Sequence, residues 1–136
     1  MNLENLPALV TGGGSGMGAV TARMLSGRGA RVAVLDRDID AALKTAQQID
    51  GLALEADVSS AQSVEAALQQ IVDKWGAPRV AVSCAGIAPA SRIVGREGPH
   101  DLDLFQQVIN INLVGTFNVL RMCAARMSEL EPLSES

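Results

Sequence analysis

The sequence predicts an α/β fold in which a doubly wound parallel sheet is covered by helices on both faces. Short apolar segments of strand length alternate along the chain with longer segments of helical periodicity, which is typical of βαβ units. The strand segments are apolar almost throughout, as expected for strands buried on both sides. Right-handed crossovers between parallel strands then predict the spatial order 3-2-1-4 for four strands.

Composition limits the classes of protein to which this sequence can belong. Its 136 residues fit one domain, spanning 1–136, and 48% of them are hydrophobic, which allows a buried core. The net charge of −4 argues against nucleic acid as a partner. Uninterrupted apolar runs are shorter than the roughly 20 residues of a membrane helix, so we expect no membrane span. With two cysteines and no signal peptide pattern over Met1 to Pro7, we expect a cytoplasmic protein without disulfides.

The first part of the pattern contains three strands separated by two helices. The predicted segments are strand 7–11, helix 17–28, strand 30–35, helix 38–50 and strand 51–55. Three consecutive glycines stop the first strand, and Met17, Val20 and Met24 recur at helical spacing in the segment that follows. The strand and helix segments therefore alternate as a parallel sheet requires.

The second part of the pattern contains a helix, a fourth strand, an irregular loop over 88–100 and a long helix over 101–129. Ser59 or Ser60 can cap the first of these helices, which ends before Gly76, and the fourth strand covers 79–84. The fourth strand is expected at the open edge of the sheet. The long helix carries an apolar face that has no predicted partner, so we expect a homo-oligomer that forms through helix 101–129, the fourth strand or both.

A glycine-rich loop joins the first strand to its helix. Gly12, Gly16 and Gly18 form the spacing Gly-x-x-x-Gly-x-Gly, with Ser15 and Met17 between them. Glycines allow a tight turn and a close backbone approach to a pyrophosphate, and the helix that follows offers free N–H groups to the phosphates. This context favours dinucleotide binding over a plain strand–helix turn, which would also use glycine. No Lys follows the glycines, which excludes a Walker-type loop.

The end of the second strand indicates which dinucleotide is bound. Asp36 follows Gly18 by 18 residues, and a carboxylate there can accept hydrogen bonds from the hydroxyls of the adenine ribose. It would also repel the 2′-phosphate of NADP, so NAD is the predicted cofactor. The neighbouring Arg37 is the residue that a 2′-phosphate would favour. Asp36 could instead cap the following helix, although Asp38 can also fill that role.

Taken together, these motifs resemble the short-chain dehydrogenase/reductase family over essentially the whole chain. The resemblance rests on the segments Thr11–Gly18, Asp57-Val58, Ser83-Cys84-Ala85-Gly86 and Asn110-Ile111-Asn112-Leu113. Segments 84–88 and 113–119 are most similar to the short-chain type of 3-hydroxyacyl-CoA dehydrogenase. The resemblance implies a Rossmann-type sheet, NAD as cofactor and a small-molecule alcohol or ketone as substrate.

The resemblance also implies roles for individual residues. Asp57 and Val58 would contact adenine, although Asp57 alone could be a turn residue. Cys84, Ala85 and Gly86 would line the ribose on the nicotinamide side, while the Cys84 thiol is expected to be buried packing without nucleophilic activity. Asn112 would be catalytic, kinking its helix and holding a water molecule of a proton relay. The alternative is that it bonds to its own helix backbone. Ser83 stands where the family has Asn, which puts that position's bracing role in doubt.

The family's catalytic Ser and Tyr-x-x-x-Lys motif have no counterpart in this sequence. It contains no Tyr, and its lysines, Lys44 and Lys74, lie in earlier helices. We therefore expect a fold truncated after the fourth strand and the long helix. An engineered or proteolytic fragment, an incomplete gene product and a short binding protein remain open, as does a non-catalytic nucleotide-binding or interaction module. A flavodoxin-like domain would leave Asp36 without a role, and the single histidine, His100, gives no basis for a metal site.

Overall fold

The computed structural model describes residues 2–133 and contains a four-stranded parallel sheet in the order β3-β2-β1-β4. The strands are β1 (Pro7–Thr11), β2 (Arg31–Asp36), β3 (Leu52–Glu55) and β4 (Val80–Ser83). Central strand β1 pairs with β2 from Pro7–Arg31 onward and with β4 from Ala8–Val80 onward. The predicted fold class and strand order are therefore confirmed, while Met1 and residues 134–136 lie outside the described residues.

Helices pack on both faces of the sheet. Helices α1 (Gly16–Ser26) and α2 (Ile39–Gln48) cover one face, and α3 (Ala61–Trp75) covers the other together with the C-terminal helix described below. Side chains along β1 alternate between the two cores, with Ala8 and Val10 on the α1–α2 side and Leu9 on the α3 side. A parallel sheet buried in this way brings the carboxyl ends of its strands to one common edge.

Side-chain caps define where two of the helices begin. Asp38 accepts hydrogen bonds from the backbone N–H groups of Asp40 and Ala41, so it caps α2 and Asp36 does not. Ser60 caps α3 by accepting from the N–H of Ser63, which decides between the two candidate serines. The carboxylate of Asp36 is thereby left for another role at the end of β2.

The buried face of α1 differs from the one that its large apolar residues indicate. Met17, Val20 and Met24 are exposed, whereas Gly18, Ala19 and Ala22 face the sheet. The cause is the close approach of α1 to β1, since a Cβ at Gly18 would overlap the carbonyl group of Gly12. Only small side chains fit in such a gap, so hydrophobic periodicity alone identifies the wrong face.

The loop over 88–100 contains a short hairpin that the sequence does not predict. Strands β5 (Val94–Gly95) and β6 (Gly98–Pro99) pair antiparallel, and the N–H of His100 donates to the carbonyl of Ile93 at 2.8 Å. Most of the hairpin is exposed to solvent. It extends from the segment that follows β4 and returns the chain to the start of the last helix.

The predicted long helix is confirmed, with a π-helical segment inside it. Helix α4 (Leu102–Ile109) continues through the π-helical segment Asn110–Gly115 into α5 (Thr116–Ser128). Val119 and Cys123 of α5 are buried in the core on the α3 side. The wider turn of a π-helix shifts the helix face without breaking the helix, and such segments are frequent at functional sites.

The two cysteines lie in different environments, and both are free thiols. Burial raises the pKa of the Cys123 thiol to about 11, so it stays protonated and unreactive at neutral pH. Cys84 is only half-buried, and it borders the cavity described below. The expectation that Cys84 packs against the core is confirmed, since it lies against the core on the α1–α2 side. The expectation that it is fully buried is wrong, because its side chain also borders the cavity.

The helix over Leu102–Ser128 is the one segment of residues 2–133 that is long and apolar enough to cross a membrane. Its 27 residues include an 18-residue window with a mean hydropathy of 1.3. This comparison rests on length and composition alone, and core helices of soluble proteins meet the same criterion. The burial of Val119 and Cys123 shows that one face of this helix belongs to the protein core. The absence of a membrane span stays a prediction.

Candidate functional site

One cavity of about 440 Å³ lies at the carboxyl ends of β1, β2 and β4. It is lined by all twelve residues predicted to contact the cofactor, namely Gly12, Ser15, Gly16, Met17, Gly18, Asp36, Arg37, Asp57, Val58, Cys84, Ala85 and Gly86. Five further lining residues, Leu35, Ala56, Ile87, Gln107 and Ile111, were not anticipated. The catalytic candidate Asn112 stands outside this lining.

The glycine loop forms one wall of the cavity and needs its glycines for two separate reasons. Gly12 (φ +62°) and Gly16 (φ +50°) both adopt left-handed backbone conformations, which side chains with a Cβ rarely take. Gly12 also lies against the segment after β4, where an added Cβ would be 2.7 Å from the nitrogen of Ala85. A Cβ at Gly16 would meet no atom within 4 Å. The loop therefore packs against β4 at Gly12 and is open to the cavity at Gly16.

Thr11 holds the two loops together at the end of the central strands. Its buried hydroxyl oxygen accepts hydrogen bonds from the N–H groups of Cys84 at 3.2 Å and Ala85 at 3.3 Å. The carbonyl of Thr11 also accepts from the N–H of Cys84 at 3.1 Å. The family resemblance assigned backbone bracing to the position of Ser83, but here Thr11 holds these two amides. The threonine was recognised only as part of the glycine motif.

Asp36 connects the end of β2 to the glycine loop. Its Oδ2 accepts from the N–H of Gly14 at 2.9 Å, and its Oδ1 accepts from the N–H of Asp38 at 3.0 Å. Each carboxylate oxygen carries a second lone pair, so both can still accept a hydrogen bond from a ligand hydroxyl. Arg37 is exposed at the rim of the cavity. The carboxylate is thus fixed in position before any ligand arrives.

Asp57 and Val58 form another part of the cavity wall. The Oδ1 of Asp57 accepts from the N–H of Ser59 at 2.9 Å and from its hydroxyl at 2.7 Å. The N–H of Asp57 donates to the hydroxyl of Ser63 at 2.9 Å. Val58 is buried, and the cavity borders it. The turn after β3 is therefore held by hydrogen bonds that leave the second oxygen of the Asp57 carboxylate for a ligand.

Asn112 clamps the loop after β4 to the last helix. Its Oδ1 accepts from the N–H of Ile87 and its Nδ2 donates to the carbonyl of the same residue, both at 2.8 Å. Its own carbonyl accepts from the hydroxyl of Thr116, the first residue of α5, at 2.7 Å. The side chain of Asn112 thus bonds to a residue 25 positions away in sequence. The alternative that this side chain bonds to its own helix backbone is therefore wrong. A catalytic role for Asn112 stays a prediction.

We expect Asn112→Leu to loosen the loop that follows β4 while leaving the sheet intact. The variant loses two hydrogen bonds to Ile87, which costs about 1–3 kcal/mol in unfolding free energy. Amide hydrogen exchange provides the measurement, because the N–H of Ile87 should exchange faster than in the wild type. Asn110→Leu, on the same helical segment and exposed, serves as the control. Unchanged exchange at Ile87 would show that the clamp is dispensable.

The chemistry of the lining fits a dinucleotide. The N-terminus of α1 meets the glycine loop, and the N–H groups of its first turn have no partner within the helix. Such a terminus favours the negative charge of a pyrophosphate. The carboxylates of Asp36 and Asp57 also line the cavity, where they can accept hydrogen bonds from the hydroxyl and amino groups of an adenosine.

The five unanticipated lining residues fall into two groups. The first group, Leu35, Ala56 and Ile87, consists of direct sequence neighbours of predicted site residues. Their position near a strand end could therefore have predicted their place in the cavity wall. Gln107 and Ile111 come from the last helix, which reaches the cavity only through the tertiary fold. The single histidine, His100, lies away from this lining in the hairpin region, with Nδ1 2.7 Å from the carbonyl oxygen of Asp101.

Comparison with known proteins places the chain in a family. The short chain dehydrogenase family model matches residues 7–132. The chain is 43% identical to 3-hydroxyacyl-CoA dehydrogenase type-2 of Bos taurus and 41% identical to that of Rattus norvegicus. Each match covers 96% of this chain and 52% of the relative, so the chain spans about half the length of the curated relatives it matches.

A solved structure has a similar fold. The crystal structure of ribose-5-phosphate isomerase from Brucella melitensis 16M superposes with a TM-score of 0.86 at 34% identity, covering 94% of this chain and 49% of that chain. With this fold, a cavity at the glycine loop and the family match over residues 7–132, the chain belongs to the short chain dehydrogenase family.

Proposed function

We propose that the chain binds NAD in the cavity at the carboxyl ends of β1, β2 and β4. The observation that carries this proposal is the position of the Asp36 carboxylate, which is held by the N–H of Gly14 in the glycine loop itself. The glycine loop would therefore serve both parts of the ligand. It leads into the N-terminus of α1, which favours a pyrophosphate, and it holds Asp36, which would accept from the ribose. Domain 1–136 is in this proposal an NAD-binding unit.

The proposed orientation of NAD in the cavity follows from the chemistry of its adenine half and its nicotinamide half. Asp57 and Val58 would flank adenine, and Asp36 would accept from the ribose hydroxyls. Cys84, Ala85 and Gly86 would flank the ribose of the nicotinamide half, because their backbone lies against Gly12. A negative charge at Asp36 disfavours the 2′-phosphate of NADP, which supports NAD over NADP despite Arg37.

We further propose that the reaction is the oxidation of a secondary alcohol, with a 3-hydroxyacyl-CoA as the substrate. Support comes from the similarity to proteins named 3-hydroxyacyl-CoA dehydrogenase type-2. The nicotinamide ring, when bound, supplies the hydride acceptor. In the proposal, these 136 residues bind and orient the cofactor, and Asn112 holds the loop beside it. Proton transfer by a Tyr cannot come from this sequence, which contains none.

Calorimetric titration with NAD, combined with an absorbance assay for NADH, tests this division of roles. The chain should bind one NAD per molecule and should produce no NADH from a 3-hydroxyacyl-CoA. Turnover by the 136-residue chain would overturn the assignment of proton transfer to groups outside it. A chain that binds neither NAD nor NADP would instead favour an interaction module.

We also propose that the apolar stripe of the long helix contacts a second copy of the chain in the cytoplasm. The stripe consists of exposed residues at helical spacing, namely Leu102, Phe105, Ile109, Leu113, Phe117 and Leu120. Two such stripes packed antiparallel would form a self-complementary interface. The edge strand β4 offers a second surface for the same association.

Sedimentation should therefore detect a dimer or larger oligomer that Phe117→Glu dissociates. The buried charge would cost several kcal/mol in the interface, and the monomeric fold should survive because Phe117 is 60% exposed. Gln70→Glu, an exposed position on α3, changes the charge equally and should leave the oligomer intact. A variant with the same sedimentation as the wild type would move the interface away from this stripe.

A further inference from the structure

A buried asparagine, Asn118, connects the long helix to the wall of the cavity. It is 5% exposed, and its Nδ2 donates to the carbonyl of Val58 at 2.8 Å, across 60 residues of sequence. Its Oδ1 accepts from Nε and Nη2 of Arg121 at 3.1 and 2.9 Å. Both ends of the amide are thus used, which fixes which end faces Val58.

Gly115 supports the same contact by leaving room for Val58. A Cβ at Gly115 would be 2.5 Å from Cγ2 of Val58 and 3.2 Å from its Cβ. Gly115 and Asn118 lie almost one turn apart, so they present neighbouring points of the helix surface to one residue. The helix therefore touches Val58 closely through a glycine and holds its carbonyl through an amide.

We infer that Asn118 is a positioning residue that sets the adenine wall of the NAD site. Val58 is buried, and its carbonyl accepts a hydrogen bond from the Asn118 amide. Without that donor the carbonyl must turn toward water, and Asp57 and Val58 must turn with it. The side chain of Asn118 does not line the cavity, so it acts only through Val58.

This inference rests on the proposed function, because it assigns adenine to the wall formed by Asp57 and Val58. It adds that the adenine end depends on α5, whereas the phosphate end depends on the loop between β1 and α1. The two ends should therefore respond separately to substitution. A ligand with adenine and one without it can distinguish positioning from general destabilisation.

The test titrates the full chain with AMP and with ribose 5-phosphate, using NMR to obtain both affinities. Asn118→Asp keeps an acceptor for Arg121 and removes the donor to Val58. It should weaken AMP binding about tenfold, as expected for one lost hydrogen bond and the wall's displacement, and leave ribose 5-phosphate binding within about twofold. Arg121→Gln, which leaves the Asn118–Val58 bond in place, should bind both ligands nearly as the wild type does.

Gly115→Ala perturbs the wall formed by Asp57 and Val58 independently, and it tests the positioning role if Asn118→Asp does not fold. It displaces Val58 by contact and should also weaken AMP binding selectively. Equal weakening of both ligands, or AMP binding unchanged in the folded variants, would overturn the positioning role. A wild-type chain that binds neither NAD nor these two ligands would overturn the proposed function itself, which separates the two failures.

Discussion

Gly12→Ala should both destabilise the fold and abolish most of the NAD affinity. The new methyl group would lie 2.7 Å from the nitrogen of Ala85 and 2.8 Å from the carbonyl carbon of Cys84, both of which are backbone atoms. The residue would also occupy a left-handed conformation at φ +62°. Backbone strain and overpacking together should lower the unfolding free energy by about 2–5 kcal/mol. Chemical denaturation and calorimetric titration with NAD measure the two effects.

Gly16→Ala is the matched control for this substitution. Gly16 has a left-handed φ of +50° as well, but a Cβ there would have no neighbour within 4 Å. Gly16→Ala should therefore lower the unfolding free energy only by the cost of the left-handed conformation, about 1–2 kcal/mol. Equal losses for the two variants would mean that the contact between the glycine loop and the segment after β4 is unimportant.

Asp36→Asn should change the cofactor preference more than any other single substitution in the cavity. The amide keeps one oxygen that can accept from Gly14, so the loop should stay in place, while the second acceptor, which binds the N–H of Asp38, and the negative charge are lost. A hydrogen bond to a charged group is worth about 1.5–3 kcal/mol, so NAD should bind about 10–100-fold more weakly. NADP should bind more tightly than in the wild type, because the 2′-phosphate no longer meets a carboxylate and Arg37 is close.

Asp38→Asn controls for the change in charge. Asp38 caps α2 through its Oδ1, and asparagine caps a helix about as well as aspartate. The control should leave both affinities close to those of the wild type. If Asp36→Asn left the ratio of NAD to NADP affinity unchanged, Asp36 would have only its structural hydrogen bonds to Gly14 and Asp38.

Most of the candidate site could be predicted because its residues sit at the ends of strands. The glycine loop, Asp36, Asp57 and Ala85 each follow a short apolar run, and parallel strands bring their carboxyl ends to one edge. The local spacing of these residues indicates their chemistry, and the parallel topology brings them to one edge of the sheet.

The remaining features depend on contacts between distant segments, which spacing does not encode. The buried face of α1 follows from how closely Gly18 approaches Gly12, so the larger residues Met17 and Met24 were misleading. The bond between Asn118 and Val58 joins residues 60 apart, and the partner of Asn112 is a backbone group in a loop. The hairpin over 94–99 has no apolar alternation to indicate it.

The measurement that tests the central claim most directly is an NMR titration of the isotopically labelled chain with NAD, in which backbone amide shifts are followed. The account predicts saturable shifts at the glycine loop from Gly12 to Gly18, at Asp36, at Asp57 and Val58, and at Ala85 and Gly86, with a weaker response to NADP. Shifts confined to the exposed hairpin over 94–99, or no shifts at a millimolar excess of NAD, would contradict the assignment of this cavity to a dinucleotide.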